Sequence, residues 1–330
     1  MFITLKNPLK VLALSFVLFS CSTSDIIEPT ENQTFGIRHD RILSDYESAV
    51  TSGTDHPDFG AVVMFSYTLD GKSDEYIGSG TLIAPNWILT AGHNFYVKDE
   101  QKNPASPADI KVFTGNDPNS PDQTLSVEQI YFHPTWLQDN QDFVNANDLC
   151  LVKLKTAVKN ITPVPLYTGT DEPIGSKVWY CGFGDYSKLK GQNPDSYSKK
   201  HAIENILDRK ATGILTKING VTYNGGLLAF DFDDPAGNSN TLGDSYIGED
   251  EALLGTGTSS PSPLDLEGTT VQGDSGGPLF IKDNGVWKIA GVLSGGVPEP
   301  VKGQKDSSYG DISVFIRVSN SKGWIGEMVK

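Results

Sequence analysis

Gly273-Asp274-Ser275-Gly276-Gly277-Pro278, running straight into Leu279-Phe280-Ile281, is the stretch on which the reading of this chain turns. A serine hydroxyl alone is a weak nucleophile. It needs a base to take its proton, and acyl chemistry needs donors for the oxyanion that develops. Glycines on both sides of Ser275 let the backbone turn sharply and bring N–H groups forward without side-chain obstruction. The apolar run after Pro278 reads as a strand that holds this turn in place.

A base must come from five histidines: His39, His56, His93, His133 and His201. His93 closes Trp87-Ile88-Leu89-Thr90-Ala91-Gly92-His93, an apolar strand breaking into a turn, and a fixed place at a strand end suits a general base. A third group has to hold the imidazole tautomer. Asp148 opens the apolar run Leu149-Cys150-Leu151-Val152-Lys153-Leu154, where a buried carboxylate is costly without a partner.

Around these stretches the chain is turn-rich and acidic. It has 34 Gly and 19 Pro in 330 residues, few long helical patterns, and a formal charge of −15. Such a charge repels phosphate backbones and excludes nucleic acid as a partner. With 38% hydrophobic residues a packed core is available and wholesale disorder is excluded. An all-β fold of many short strands is expected. Strands are predicted at 61–67, 80–83, 87–90, 110–114, 125–132, 149–154, 177–180, 212–216, 227–232, 278–281, 287–293 and 313–318, with a short helix over 323–329. Residues 233–268 read as long loops.

The N-terminus reads as an address. Lys6 and Lys10 precede the apolar run Val11–Phe19, too short for a permanent span, and Ser20 supplies a small residue. Leu18-Phe19-Ser20-Cys21 resembles a relaxed bacterial lipoprotein box, in which the Cys21 thiol takes the lipid. Residues 1–20 are then a signal peptide and 21–41 a tether or propeptide. The protein is exported, either anchored through Cys21 at the periplasm-facing or outer surface or secreted. Contact with membrane is through that lipid only. Of the remaining cysteines, Cys150 and Cys181 read as two buried thiols or a single bridge.

Thr90-Ala91-Gly92-His93, Asn147-Asp148-Leu149 with His133-Pro134 upstream, and Gly273–Pro278, in that order, resemble the trypsin-like (chymotrypsin-fold) serine endopeptidases over residues 42–328. The resemblance implies two six-stranded antiparallel β-barrels and a short C-terminal helix. The first, 42–170, carries His93 and Asp148; the second, 171–330, carries Ser275. It implies that Ser275 attacks the scissile carbonyl, that His93 moves its proton, and that Asp148 steadies the imidazolium. The N–H groups of Gly273 and Ser275 form the oxyanion hole, and Ser294-Gly295-Gly296 pairs with extended substrate. It implies a polypeptide substrate and a monomer, with no cofactor required.

The same resemblance places Thr269 at the base of the specificity pocket, with Thr270 beside it and Ser313 opposite. No carboxylate awaits a Lys or Arg there, and Leu293 stands where glutamyl endopeptidases carry His. A preference for uncharged residues is expected, with Asp265 and Glu267 able to enter only if the loop rearranges. The family's cysteines are replaced by Asn94 and Val271. Asp231, Asp233 and Asp234, with Glu249, Asp250 and Glu251, read as a solvated acidic loop, or as oxygen ligands for Ca²⁺. Arg41-Ile42 lies where trypsin zymogens are cut, and a freed Ile42 ammonium would pair with Asp274. The rival to an enzyme is a non-catalytic binding module on the same fold; the complete triad favours the enzyme.

Overall fold

The computed structural model describes residues 36–51, 55–137, 147–186, 197–211, 215–218, 221–224, 226–243, 254, 257–297 and 307–330. The expected signal, Cys21, most of the 21–41 tether and the Glu249–Glu251 acidic run lie outside the described residues.

Six strands form the first barrel: β1 Val62–Thr68, β2 Glu75–Ala84, β3 Trp87–Thr90, β4 Ile110–Thr114, β5 Gln123–Phe132 and β6 Cys150–Leu154. Their order is β1-β2-β3-β6-β5-β4, and β4 returns to pair with β1, so the barrel is closed by ladders throughout. Strand β5 shows how the sequence sets this. Leu125 and Val127 point inward two residues apart, but the next inward residue is Ile130, three further on. A register irregularity between Val127 and Gln129 absorbs the extra residue and keeps the apolar face on the core. The barrel interior is filled with aliphatic and aromatic side chains, such as Phe65 set edge-on to Phe95 with centroids 5.3 Å apart.

The second half contains β7 Lys177–Gly182, β8 His201–Ile206, β9 Arg209–Ala211, β10 Leu215–Ile218, β11 Val221–Asn224, β12 Leu227–Asp231, β13 Pro278–Asp283, β14 Val286–Val297 and β15 Ile312–Arg317. Strands β10 and β11 form a separate hairpin, and the rest form a seven-stranded sheet ordered β8-β7-β13-β14-β15-β12-β9. This differs from the six strands expected. Its two edges, β8 and β9, are separated in the chain only by Leu207 and Asp208. The N–H of Leu207 donates to Ser176 O at the β7 side, and the N–H of Asp208 donates to Ala229 O on β12. One sharply bent segment therefore reaches both edges and curls the sheet into a half-barrel. Counted as one strand, β8 and β9 restore the six.

Two short α-helices flank the barrels, α1 Leu43–Ala49 and α2 Lys322–Met328. The chain is already docked upstream of Ile42: Ile37 is fully buried and bridges Gly268, and the O of Gly36 accepts from Thr269 N–H at 3.0 Å. Tyr46 of α1 packs into the second half, donating to Glu267 O at 2.9 Å, while Ala49 joins the core shared with the first barrel. Helix α2 lies across the first barrel, with Trp324 edge-on to His133. Cys150 and Cys181 are buried free thiols, so the bridge is excluded, and burial pushes both thiols up from the ordinary range. No described helix is long and apolar enough to cross a membrane.

Candidate active site

Strand register brings the candidate base and its orienting carboxylate together. Strands β3 and β6 are antiparallel with Thr90 opposite Cys150, so two residues past the ladder Gly92 faces Asp148. There the chain turns on Gly92, whose missing Cβ leaves room for the Trp136 ring. The N–H of His93 donates to Asp148 Oδ1 at 2.8 Å, and Nδ1 lies 2.6 Å from Oδ2. A carboxylate only accepts, so Nδ1 carries the proton and Nε2 is left as the basic nitrogen. Asp148 is 1% exposed. Its burial is compensated by a third donor, the Ser294 hydroxyl, 2.5 Å from Oδ2.

The nucleophile loop joins β13 to the first barrel. The N–H of Gly276 donates to Leu293 O, and that of Leu293 to Gly277 O, which holds the turn after Ser275 against Leu293 on β14. The carbonyl of Ser275 is gripped from the other barrel: Ser79 N–H reaches it at 2.8 Å and Asn94 Nδ2 at 2.9 Å. Asn94 also donates to Thr90 Oγ1 and accepts from the Tyr67 hydroxyl. Where the expected pattern has a cysteine, this chain has an amide that ties the Ser275 carbonyl to the residue after His93. Gly273 has φ of +95°, and a Cβ there would meet Ile77 at 2.8 Å, so only glycine suits the turn. Gly276, at φ +85°, is packed still closer, a Cβ falling 2.0 Å from Thr90 Oγ1.

The family model described as Trypsin matches residues 52–245 and 258–325. The chain belongs to the trypsin family. It is 26% identical to mouse serine protease 28 over 81% of this chain and 82% of that protein. It is 26% identical to chicken urokinase-type plasminogen activator over 77% of this chain, and 25% identical to mouse tissue-type plasminogen activator over 85%. The aligned regions are 51% and 44% of those two longer proteins.

In this trypsin-family chain Thr269, Thr270 and Ser313 converge. The Ser313 hydroxyl lies 3.1 Å from Thr269 Oγ1 and 3.0 Å from Thr270 Oγ1, and accepts from Thr270 N–H at 3.1 Å. The group is uncharged and mutually satisfied. Asp265 and Glu267 are engaged elsewhere. Asp265 is exposed and paired with Arg41, whereas Glu267 is buried and accepts from Leu264 N–H and Asp233 N–H. Gly295 and Gly296 pair with Val314 and Ser313 on β15. The β13 ladder stops at Val292, so among the described residues the other edge of β14 beyond Ser294 carries no strand.

The acidic residues differ from expectation. Asp231 and Asp233 are 1% and 4% exposed, not solvated. Asp231 accepts from Thr241 Oγ1, Leu242 N–H and Ser259 Oγ. Burial, then the charge of Asp231, pushes Asp208 and Asp233 well above the usual carboxylate range; burial pushes Glu267 to about 7. Among the described residues no cluster of His, Cys, Asp and Glu has the arrangement of a metal site. The expected role of Ile42 also changes. It is 64% exposed at the start of α1, where its N–H faces Asp45 Oδ2.

Proposed function

We propose that this trypsin-family protein is a serine endopeptidase acting through an acyl-enzyme. His93 Nε2 takes the Ser275 proton as Ser275 Oγ attacks the scissile carbonyl, and returns it to the leaving amine. Asp148 holds the Nδ1–H tautomer and offsets the imidazolium charge. The N–H groups of Gly273 and Ser275 receive the oxyanion, each worth about 3–4 kcal/mol in the transition state. The observation that carries the reading is buried Asp148 held by two contacts to His93 and one to Ser294, while the carbonyl of Ser275 accepts from Asn94, the residue after His93. A binding module has no use for a buried, tautomer-fixing carboxylate.

The open edge of β14 past Ser294 suits an extended peptide, which adds as a strand. The hydroxyl-lined pocket of Thr269, Thr270 and Ser313 favours an uncharged residue before the scissile bond. Export, with lipid at Cys21, is proposed on the sequence alone, as is the bacterial character of that leader. The proposed reaction needs no Ca²⁺, since every step is carried by Ser275, His93, Asp148 and backbone donors.

A fluorophosphonate probe followed by peptide-library cleavage tests the reading. Labelling at Ser275 that is lost in Ser275→Ala and in His93→Ala, with cleavage after uncharged residues, supports it. Folded protein that neither labels nor cleaves fits the binding module instead.

A further inference from the structure

Asp274 lies between the oxyanion glycine and the nucleophile, and its side chain is fully buried. Oδ1 accepts from Gly184 N–H at 2.9 Å and Oδ2 from Val271 N–H at 3.0 Å. Two backbone donors, with the neutral Tyr180 and Tyr186 hydroxyls beside them, supply no positive charge to this carboxylate in a site shut off from water, and such a group calls for a cation. Among the described residues, the one basic side chain within 4 Å is His201, the first residue of β8, with Nε2 3.5 Å from Oδ1. Its ring is as buried as the carboxylate, the two side chains being 1% and 0% exposed.

The ring lies between two acceptors. Nδ1 faces Lys199 O at 3.3 Å while Nε2 faces Asp274. Both neighbours only accept, and Nε2 stands 3.5 Å from Oδ1 without a hydrogen bond, at ion-pair distance. Tyr186 lies against the ring, centroids 3.7 Å apart, with its hydroxyl donated to Thr269 O. The Tyr180 hydroxyl donates to Asp274's own carbonyl. Burial and the Asp274 charge keep both phenols neutral, well above their ordinary range. Lys200, the next residue, turns its Nζ to Phe59 O on the other barrel and takes no part.

We propose that His201 is the built-in counterion of Asp274 and the positioning residue for the Gly273–Ser275 loop, so that the loop is ordered without a chain cut. This rests on the peptidase reading. The upstream chain agrees with it. Ile37 is sealed against Gly268, Gly36 is hydrogen-bonded to the pocket residue Thr269, and Ile42 is held at the surface by α1. An ammonium freed at Ile42 would have to unwind α1, and it would find Asp274 already partnered.

The test uses the protein with its residues upstream of Gly36 still attached. The uncut chain is expected to label with fluorophosphonate, and Arg41→Gln to label at the same rate. His201→Gln is expected to lower kcat on the order of 10²-fold with KM changed less than about threefold. Affinity for a peptidyl trifluoromethyl ketone, whose adduct bears an oxyanion, should fall in proportion, and His201→Lys should recover part of the loss. An uncut chain that is inert until cleaved at Arg41–Ile42 overturns the inference, as does His201→Gln with full kcat. Should His201→Gln fail to fold, the Arg41→Gln arm and Asp274→Asn decide. If the cut and uncut natural chains both fail to label, the peptidase reading falls and takes this inference with it.

Discussion

The two barrels solve different problems. Among the described residues, the first buries one Asp, Glu, Lys or Arg, and that one is Asp148. The second buries many, including Glu172, Lys200, Asp208, Asp231, Glu267 and Asp274. The first is closed by ladders all round, whereas the second is a half-barrel whose two edges are linked by one bent segment at Leu207-Asp208. A fully laddered barrel resists deformation, so it suits the placing of His93 and Asp148, whose register is fixed by Thr90 opposite Cys150. The second barrel carries charged pairs between and beside its strands, such as Lys177 with Glu204 and Arg317 with Glu172. Its buried charges are costly: Glu172 is paired with Arg317 and Glu204 with Lys177, whereas Asp208 and Asp233 sit against Asp231 and are pushed toward the neutral form.

The largest expected effect tests whether the first barrel's single buried acid is there for chemistry. Asp148→Asn should lower kcat by about 10³–10⁴-fold, because an amide permits the wrong imidazole tautomer. A normal melting temperature alongside that loss would separate catalysis from stability; unchanged kcat would break the assignment. On the second barrel's side, Gly273→Ala should cost about 10²–10³-fold in kcat, since a Cβ meets Ile77 and the Gly184 backbone and the oxyanion N–H is displaced. Ser294→Ala, which removes the one donor the second barrel lends to Asp148, should cost roughly tenfold in kcat/KM.

Smaller effects probe the charged interior itself. A carboxyl raised in the folded state binds its proton more tightly folded than unfolded. Its contribution is therefore present at low pH and is lost as pH climbs through the folded value. With Asp208 and Asp233 raised and Glu267 near 7, thermal stability should decline from pH 5 to pH 8. Asp233→Asn should raise the melting temperature by about 2–6 °C at pH 8 and by less at pH 5, read by calorimetry. A gain that does not depend on pH would mean that Asp233 is not the proton-binding group. Smallest of all, dithiothreitol should leave the melting temperature unchanged within about 1 °C, and two thiols should titrate only after unfolding, since Cys150 and Cys181 are free and buried.

What the sequence made legible follows the same division. The first barrel's strands fall almost where apolar periodicity places them, because nearly every inward residue is aliphatic or aromatic. The three boxes around His93, Asp148 and Ser275 were visible for a related reason: each sits at the end of an apolar strand. Strand β8 was missed. It reads His201-Ala202-Ile203-Glu204-Asn205-Ile206, and its polar residues are buried by distant partners: Glu204 by Lys177 and Leu266 N–H, Asn205 by the carbonyls of Asp231 and Gly268. Asp231 and Asp233 looked solvated for the same reason, since nothing local shows that Thr241, Ser259 and Glu267 will meet them. Ser294 was marked as a substrate edge, yet its hydroxyl also belongs to Asp148. Asn94 was noted only as a missing cysteine. Long-range hydrogen bonds leave no period in the sequence, so these roles emerge only from the folded chain.

The grip of Ser79 and Asn94 on the Ser275 carbonyl runs between barrels, not along the backbone. The covalent link between the halves is therefore not what aligns the reacting groups. A polypeptide nicked in that connection, or supplied as two separately made fragments, should reassemble a working centre whenever the halves re-associate.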